Sequence, residues 1–166
     1  MNIISKILNL TPELLVYDFD GVMTDNRVLV FQDGTEAVFV NRADGWAVAQ
    51  LRKTGFRQII LSTETNQVVS ARAKKLQIEV LQGCKDKAQE LVSFCQSNEI
   101  DLMKVLYIGN DVNDLDAMRL VGFPMAPADA HPKILKMAKH ILRACGGEGV
   151  IKELSEWLLK ETDKNF

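Results

Sequence analysis

Val16-Tyr17-Asp18-Phe19-Asp20-Gly21-Val22-Met23-Thr24-Asp25 ends an apolar run that begins at Leu14. Leu14, Leu15, Val16 and Tyr17 read as a buried strand that stops abruptly in two aspartates one residue apart. Successive side chains of a strand point to opposite faces, so Asp18 and Asp20 share a face only if the chain stays extended. Gly21 lets the backbone turn sharply at the strand's carboxyl end. Two carboxylates crowded at one edge repel each other unless a cation or a shared proton offsets them. The arrangement suits chemistry in which one carboxylate attacks phosphorus while the other handles a proton, with a metal between them. A solvated Asp-x-Asp-Gly turn is the ordinary structural alternative.

Composition narrows the classes. The chain has 166 residues, 47% hydrophobic and 25% charged, and a formal net charge of −2. A chain of this length can bury most of its apolar surface in one domain, and residues 1–166 are read as one domain. No block of Lys or Arg stands out, so nucleic acid and membrane surfaces are not expected partners, and an anionic substrate must be held by a few placed cations. Cys84, Cys95 and Cys145 are odd in number and widely spaced, and with only His131 and His140 they form no zinc pattern. Reduced cysteines in a cytoplasmic protein are the expectation. The first eight residues are too short and interrupted for a signal peptide or membrane span, and they read as a short amphipathic helix docking on the domain.

Strand and helix patterns alternate along the chain, which predicts an α/β fold: a three-layer, Rossmann-like parallel sheet. Candidate strands are Leu14–Tyr17, Gln58–Leu61, Glu79–Leu81, Val105–Ile108 and Gly122–Met125. Candidate helices are Trp46–Lys53, Asn66–Leu76, Lys87–Glu99, Asp114–Leu120 and Pro132–Met137. Arg27–Asn41 differs: two β-rich stretches flank Gln32-Asp33-Gly34-Thr35, and Asp-Gly between such runs signals a hairpin. Inserted directly after the first strand, this hairpin projects as a flap over the carboxyl edge, where α/β sheets place their sites.

Three more signals fall at carboxyl ends of candidate strands. Ser62 and Thr63 follow Ile59-Ile60-Leu61 just before a helix, where a phosphate meets hydroxyls and free amides. Lys85 and Lys87 flank Asp86 at the start of another helix, a position that the helix dipole disfavours and that a nearby anion explains. Gly109-Asn110-Asp111-Val112-Asn113-Asp114 repeats the pattern of apolar strand followed by acidic loop. Each has a plain alternative: Ser62 a cap, Lys87 a solvated charge, Asp111 and Asp114 a capped turn. Their order on successive strands is the stronger signal.

With these four stretches the sequence resembles the haloacid dehalogenase superfamily of phosphohydrolases over nearly its whole length. The resemblance is to the small, capless branch of 3-deoxy-D-manno-octulosonate 8-phosphate and acylneuraminate 9-phosphate phosphatases, and to the similar domain fused to some acylneuraminate cytidylyltransferases. Its markers are Asp20-Gly21-Val22-Met23-Thr24-Asp25, Asn41 with Asp44-Gly45, Gln82-Gly83 with Lys87, and Gly146-Gly147-Glu148-Gly149-Val150. The resemblance implies Asp18 as the nucleophile that forms an aspartyl-phosphate and Asp20 as general acid and base. Ser62, Thr63 and Lys87 are implied phosphate ligands. Mg²⁺ is implied, held by Asp18, the Asp20 carbonyl and Asn110, with Asp111 or Asp114 as second-layer or substitute ligands. Most active relatives carry Asp where this chain has Asn110, and a neutral amide weakens a magnesium site.

Ser62-Thr63-Glu64 replaces the Thr-Gly-Arg typical of octulosonate phosphatases, and Glu64 resembles the nonulosonate branch. Arg72 and Lys75, spaced i, i+3 on one helix face, are the implied cations for the sugar acid, or else a solvated basic face. The implied assembly is a homotetramer in which the hairpin and the glycine-rich tail of one subunit approach the site of another, the alternative for the tail being a loop that merely caps the last helix. Two alternatives stay open: an octulosonate 8-phosphate phosphatase, and a catalytically weak oligomerisation module associated with a cytidylyltransferase.

Overall fold

The computed structural model describes residues 12–162, so the helix expected at the N-terminus lies outside the described residues. Six parallel strands form the central sheet: β1 (Leu14–Tyr17), β4 (Arg57–Leu61), β5 (Glu79–Leu81), β6 (Val105–Ile108), β7 (Phe123–Ala126) and β8 (His140–Ile141). Their order is β5-β4-β1-β6-β7-β8. β1 is therefore central, with Leu14 opposite Arg57 on one side and Val105 on the other. The chain builds outward first in one direction and then in the other, which opens a crevice at the carboxyl ends of β1, β4 and β6.

Strand alternation divides the core into two layers. Leu15, Tyr17, Ile60, Leu106 and Ile108 face α1 (Arg42–Lys53), α2 (Gln67–Leu76) and α6 (Val150–Thr162), through residues such as Val48, Leu51, Val69, Ile151 and Leu154. Leu14, Val16, Ile59, Leu61, Val105 and Tyr107 face α3 (Lys87–Ser97), α4 (Leu115–Leu120) and α5 (Pro132–Met137), through Leu91, Cys95, Met118 and Ile134. Burial on both faces explains why these strands are nearly continuous apolar runs. All three cysteines are free thiols.

β2 (Thr24–Val30) and β3 (Glu36–Val40) form the expected antiparallel hairpin, with a register shift between Thr24 and Val28. Val38 and Val40 pack against the first core layer. Val28, Leu29, Val30, Phe31 and Phe39 are 49–75% exposed. α1 begins one turn earlier than expected because the Asn41 side chain accepts the Ala43 N–H and caps it. α2 starts after Asn66, which caps it by accepting from Val68. α6 and the two-residue β8 have no counterpart among the expected elements.

Candidate active site

Asp18 follows the last residue of β1, and its backbone N–H still bonds the Ile108 carbonyl of β6 at 2.9 Å. The chain then leaves the strand. The Phe19 carbonyl accepts from Val22, Met23 and Thr24, closing a tight turn that carries Asp20. Gly21 adopts a positive φ of +77°, and a Cβ there would lie 1.9 Å from the Asn110 Nδ2. Only glycine allows the two loops to meet this closely. Asp18 and Asp20 thus line one cavity through a turn and not through an extended chain.

Lys87 is the first residue of α3 and is buried. Its ammonium lies 2.7 Å from the Asp18 Oδ1 and 2.7 Å from the Asp114 Oδ1. That is the anionic partner its placement at a helix N-terminus required. Burial opposes its charge, but Asp18 and Asp114 outweigh burial and hold the ammonium above its ordinary pKa. An ammonium has three donors, so one remains for a ligand oxygen.

Asp114 is fully buried, and all four interactions it makes are internal. Oδ1 takes Lys87 and the Tyr107 hydroxyl at 2.8 Å, while Oδ2 takes the backbone N–H groups of Asn110 at 2.9 Å and Asp111 at 3.2 Å. It fixes Lys87 and the loop after β6, so a substitute metal ligand is not what this carboxylate is free to be. Asp111 caps the following turn, with Oδ1 accepting from Val112, and lines the cavity.

Burial, and then Asp114 nearby, push the Asp18 carboxyl well above its usual range. Lys87 and the Phe19 N–H offset only part of this. Both offsetting bonds go to Oδ1, which leaves Oδ2 toward the cavity. Asp20 is also raised, by burial first and by Glu64 second, while the Thr24 hydroxyl at 3.4 Å pulls it back. The shift runs toward the protonated form, the form that a general acid needs.

The Asn110 Oδ1 is buried and has no hydrogen-bond donor among the described residues. An orphaned buried acceptor beside an under-compensated carboxylate calls for a positive partner. Among the described residues no three His, Cys, Asp or Glu side chains form a metal cage. The Asp18 carboxylate and the orphaned Asn110 amide oxygen, both lining the cavity, are hard oxygens of the kind Mg²⁺ accepts while keeping several waters, and they fit such an ion.

Asp18, Asp20, Asn26, Ser62, Thr63, Glu64, Asn110, Asp111 and Asn113 line a cavity of about 140 Å³. Ser62 is buried at the end of β4, and its Oγ accepts from the Glu64 N–H at 3.1 Å. The structure therefore brings together every expected site residue except two. Arg72 turns to the start of α1, where its Nη2 donates to the Asn41 carbonyl at 3.0 Å. Lys75 is exposed, and neither residue lines the cavity. Thr24, Tyr107, Asn26 and Asn113 were not singled out from the sequence. Thr24 stands inside the decisive motif, but Tyr107 hides in an apolar strand.

The glycine-rich tail packs on its own chain. Within the single chain, Gly147 donates to the Val22 carbonyl at 3.1 Å, and the Asn41 Nδ2 donates to the Gly147 carbonyl at 3.3 Å. The close backbone approach that the glycines permit is to this chain's own Asp20 turn.

Comparison with known proteins agrees with this geometry. Residues 48–154 match the family described as haloacid dehalogenase-like hydrolase. The chain is 31% identical over 164 residues to a 3-deoxy-D-manno-octulosonate 8-phosphate phosphatase from Yersinia pestis, covering 98% of this chain and 87% of the other. It is 32% identical over 150 residues to an N-acylneuraminate cytidylyltransferase from Oncorhynchus mykiss, but that match covers 88% of this chain and only 35% of the larger protein. Among solved structures, the 3-deoxy-D-manno-octulosonate 8-phosphate phosphatase of Moraxella catarrhalis, in complex with magnesium, phosphate and a KDO molecule, superposes with a TM-score of 0.91. The identity there is 30%, covering 97% of this chain and 92% of that one. No helix among the described residues is long and apolar enough to cross a membrane. The chain belongs to the haloacid dehalogenase-like hydrolases and is one of the family's phosphatases, a phosphoric monoester hydrolase.

Proposed function

We propose that the chain hydrolyses the phosphate ester of a 2-keto-3-deoxy sugar acid, a nonulosonate 9-phosphate such as acylneuraminate 9-phosphate, with Mg²⁺ as cofactor. The observation that carries this reading is Asp18. One of its oxygens is fixed by Lys87 and the other faces a cavity of phosphate size. In the first half-reaction, Asp18 Oδ2 attacks phosphorus, the bond from phosphorus to the sugar oxygen breaks, and that oxygen takes the proton of Asp20. In the second, Asp20 accepts a proton from water as the water oxygen attacks the aspartyl-phosphate, which releases inorganic phosphate and restores Asp18. Ser62 and the third donor of Lys87 bind the equatorial oxygens, where charge accumulates. A bound Mg²⁺, held by Asp18, the Asp20 carbonyl and Asn110, supplies charge neutralisation.

The cavity is too small for a whole nine-carbon acid, since pockets for ligands of that size run to about 300 Å³ or more. Glu64 stands at its mouth, and the chain continues from it through Thr65 into a larger groove lined by Thr35, Glu36, Asn66, Gln67, Val68 and Ala71. Glu64 in place of a cation favours the nonulosonate class over octulosonate 8-phosphate. The test is phosphate release by purified protein from acylneuraminate 9-phosphate, deaminated nonulosonate 9-phosphate and 3-deoxy-D-manno-octulosonate 8-phosphate, with and without Mg²⁺. Release from none of them returns the chain to the oligomerisation-module reading.

Assembly as a homotetramer is part of the same proposal. Five apolar side chains on a two-stranded hairpin, Phe39 at 75% exposure among them, are more than a solvated flap retains. Light scattering at micromolar concentration should give four times the chain mass, and Phe31→Glu with Phe39→Glu should reduce it. A monomeric wild type contradicts the assembly.

Asn110 sets the metal requirement. Asn110→Asp adds a full countercharge to a partly dehydrated cation site, and it should lower the half-saturating Mg²⁺ concentration about tenfold, equivalent to about 1.4 kcal/mol. The magnesium-induced rise in melting temperature should grow in parallel, because a ligand that binds only the folded state stabilises it in proportion to its affinity. Unchanged half-saturation in two active proteins means that Asn110 is not a ligand.

A further inference from the structure

We infer that the Gly146–Gly149 segment clamps the Asp20-bearing turn from within the same chain, and that Asp129 holds the clamp as a positioning residue for Asp20. The second half of this rests on the role proposed for Asp20 above. One side of the turn is anchored in the core by Phe19, Val22 and Met23, and its Thr24 hydroxyl accepts from the Gly21 and Asn26 N–H groups. Three N–H groups converge on the Phe19 carbonyl, at 3.4, 2.9 and 3.2 Å, and the Thr24 hydroxyl reaches Asp20 at 3.4 Å. Its other side is covered by glycine backbone. A Cβ on Gly146 would come within 2.3 Å of the Gly21 carbonyl oxygen, and one on Gly147, whose φ is +71°, within 2.6 Å of the Asp25 nitrogen. No side chain fits between the two backbones, and the Gly147 N–H donates to the Val22 carbonyl.

The clamp is pinned along its length by side chains from other elements. The Asp129 Oδ1 accepts the Gly146 N–H at 2.9 Å, and the Asn41 Nδ2 donates to the Gly147 carbonyl at 3.3 Å. Downstream, the buried Asp44 Oδ1 accepts the Lys152 N–H at 2.9 Å and so fixes the first turn of α6. Upstream, the Glu153 carboxylate accepts the N–H groups of Arg143 and Ala144. Asp20 lies one residue before the clamped stretch, and a general acid acts only within hydrogen-bond reach of its oxygen, so a small shift of the turn is felt in proton transfer.

Asp129 is the residue on which to test this. It is exposed, it does not line the cavity, and it holds the tail through its bond to the Gly146 N–H, so its removal leaves the core intact. In the full-length protein, Asp129→Ala and Gly147→Ala should speed hydrogen exchange of the Val22–Asp25 amides, while Asp129→Asn, which keeps an acceptor oxygen, should not. Unchanged exchange in both overturns the clamp whatever the activity.

The catalytic half is read from the leaving group at saturating Mg²⁺. On acylneuraminate 9-phosphate, whose leaving alkoxide needs a proton, kcat of Asp129→Ala should fall about tenfold with KM within about twofold, as expected for a misplaced general acid. On p-nitrophenyl phosphate, whose leaving group departs as a stable anion, the loss should be under about threefold. Asp129→Asn should restore both. Equal losses on both substrates, or none on either, overturn the positioning role. A wild type inactive on acylneuraminate 9-phosphate and on p-nitrophenyl phosphate alike removes the proposed substrate and the positioning role together, while the exchange result still decides the clamp.

Discussion

Asp18→Asn is expected to abolish phosphate release, a loss of about 10⁴-fold or more for removal of a covalent nucleophile, without lowering the melting temperature. The side chain is nearly isosteric. The remaining amide oxygen can still accept from Lys87 and from the Phe19 N–H, both of which now bond Oδ1. Lys87 also keeps Asp114 as its counterion. The native carboxyl is raised well above its usual range by burial and by Asp114, so neutralising it removes an unfavourable charge from the folded state. Activity and stability should therefore move apart: phosphate release vanishes while resistance to urea is unchanged or higher. A variant with both reduced has merely unfolded, and one that keeps more than a hundredth of wild-type turnover excludes Asp18 as the nucleophile.

Lys87→Met should produce the largest effect on stability. The ammonium is 1% exposed and sits 2.7 Å from two carboxylates that are themselves 6% and 0% exposed at the side chain. Removing it leaves both buried without their shared cation, and breaking a buried pair in this way costs about 3–5 kcal/mol. That is a large part of the stability of a domain this size. Activity should disappear as well, because the same ammonium offers its third donor to the phosphoryl group. Urea unfolding of Lys87→Met, Asp18→Asn and the double variant closes a cycle in which the double variant should recover part of the loss, since one of the two stranded charges is gone. A cost below about 1 kcal/mol for Lys87→Met would show that the cluster relaxes or protonates without penalty.

The residues differ in how openly the sequence displayed them. β1, β4 and β6 were legible because strands buried on both faces must be continuous apolar runs, and the chemistry sits where those runs stop. Ser62, Lys87 and Asn110 were legible for the same reason, each standing at a strand end or at the helix start beyond it. Lys87 even displayed an electrostatic conflict with its helix dipole, which Asp18 and Asp114 resolve. Asp114 was visible as an acid but not as the hub of four donors, because Tyr107 lies inside an apolar strand and declares no polar role. Arg72 shares a helical face with Lys75 in the sequence, yet its direction depends on how α1 packs across α2, which no local pattern contains. The glycines of the tail announced a close approach, which the resemblance assigned to a neighbouring subunit, and within the chain they make one of their own. Their partner, the Gly21–Asp25 turn, lies more than a hundred residues away, and only the fold brings the two together.

The most direct test of the account is a crystal structure of the wild-type protein grown with Mg²⁺ and beryllium fluoride, which mimics an acyl phosphate on a carboxylate. The account predicts the fluoroberyllate bonded to Asp18 Oδ2, within reach of Ser62 and Lys87, with the metal between Asp18, the Asp20 carbonyl and Asn110. An unmodified Asp18, or an adduct on Asp20, Asp111 or Asp114 in its place, would contradict it.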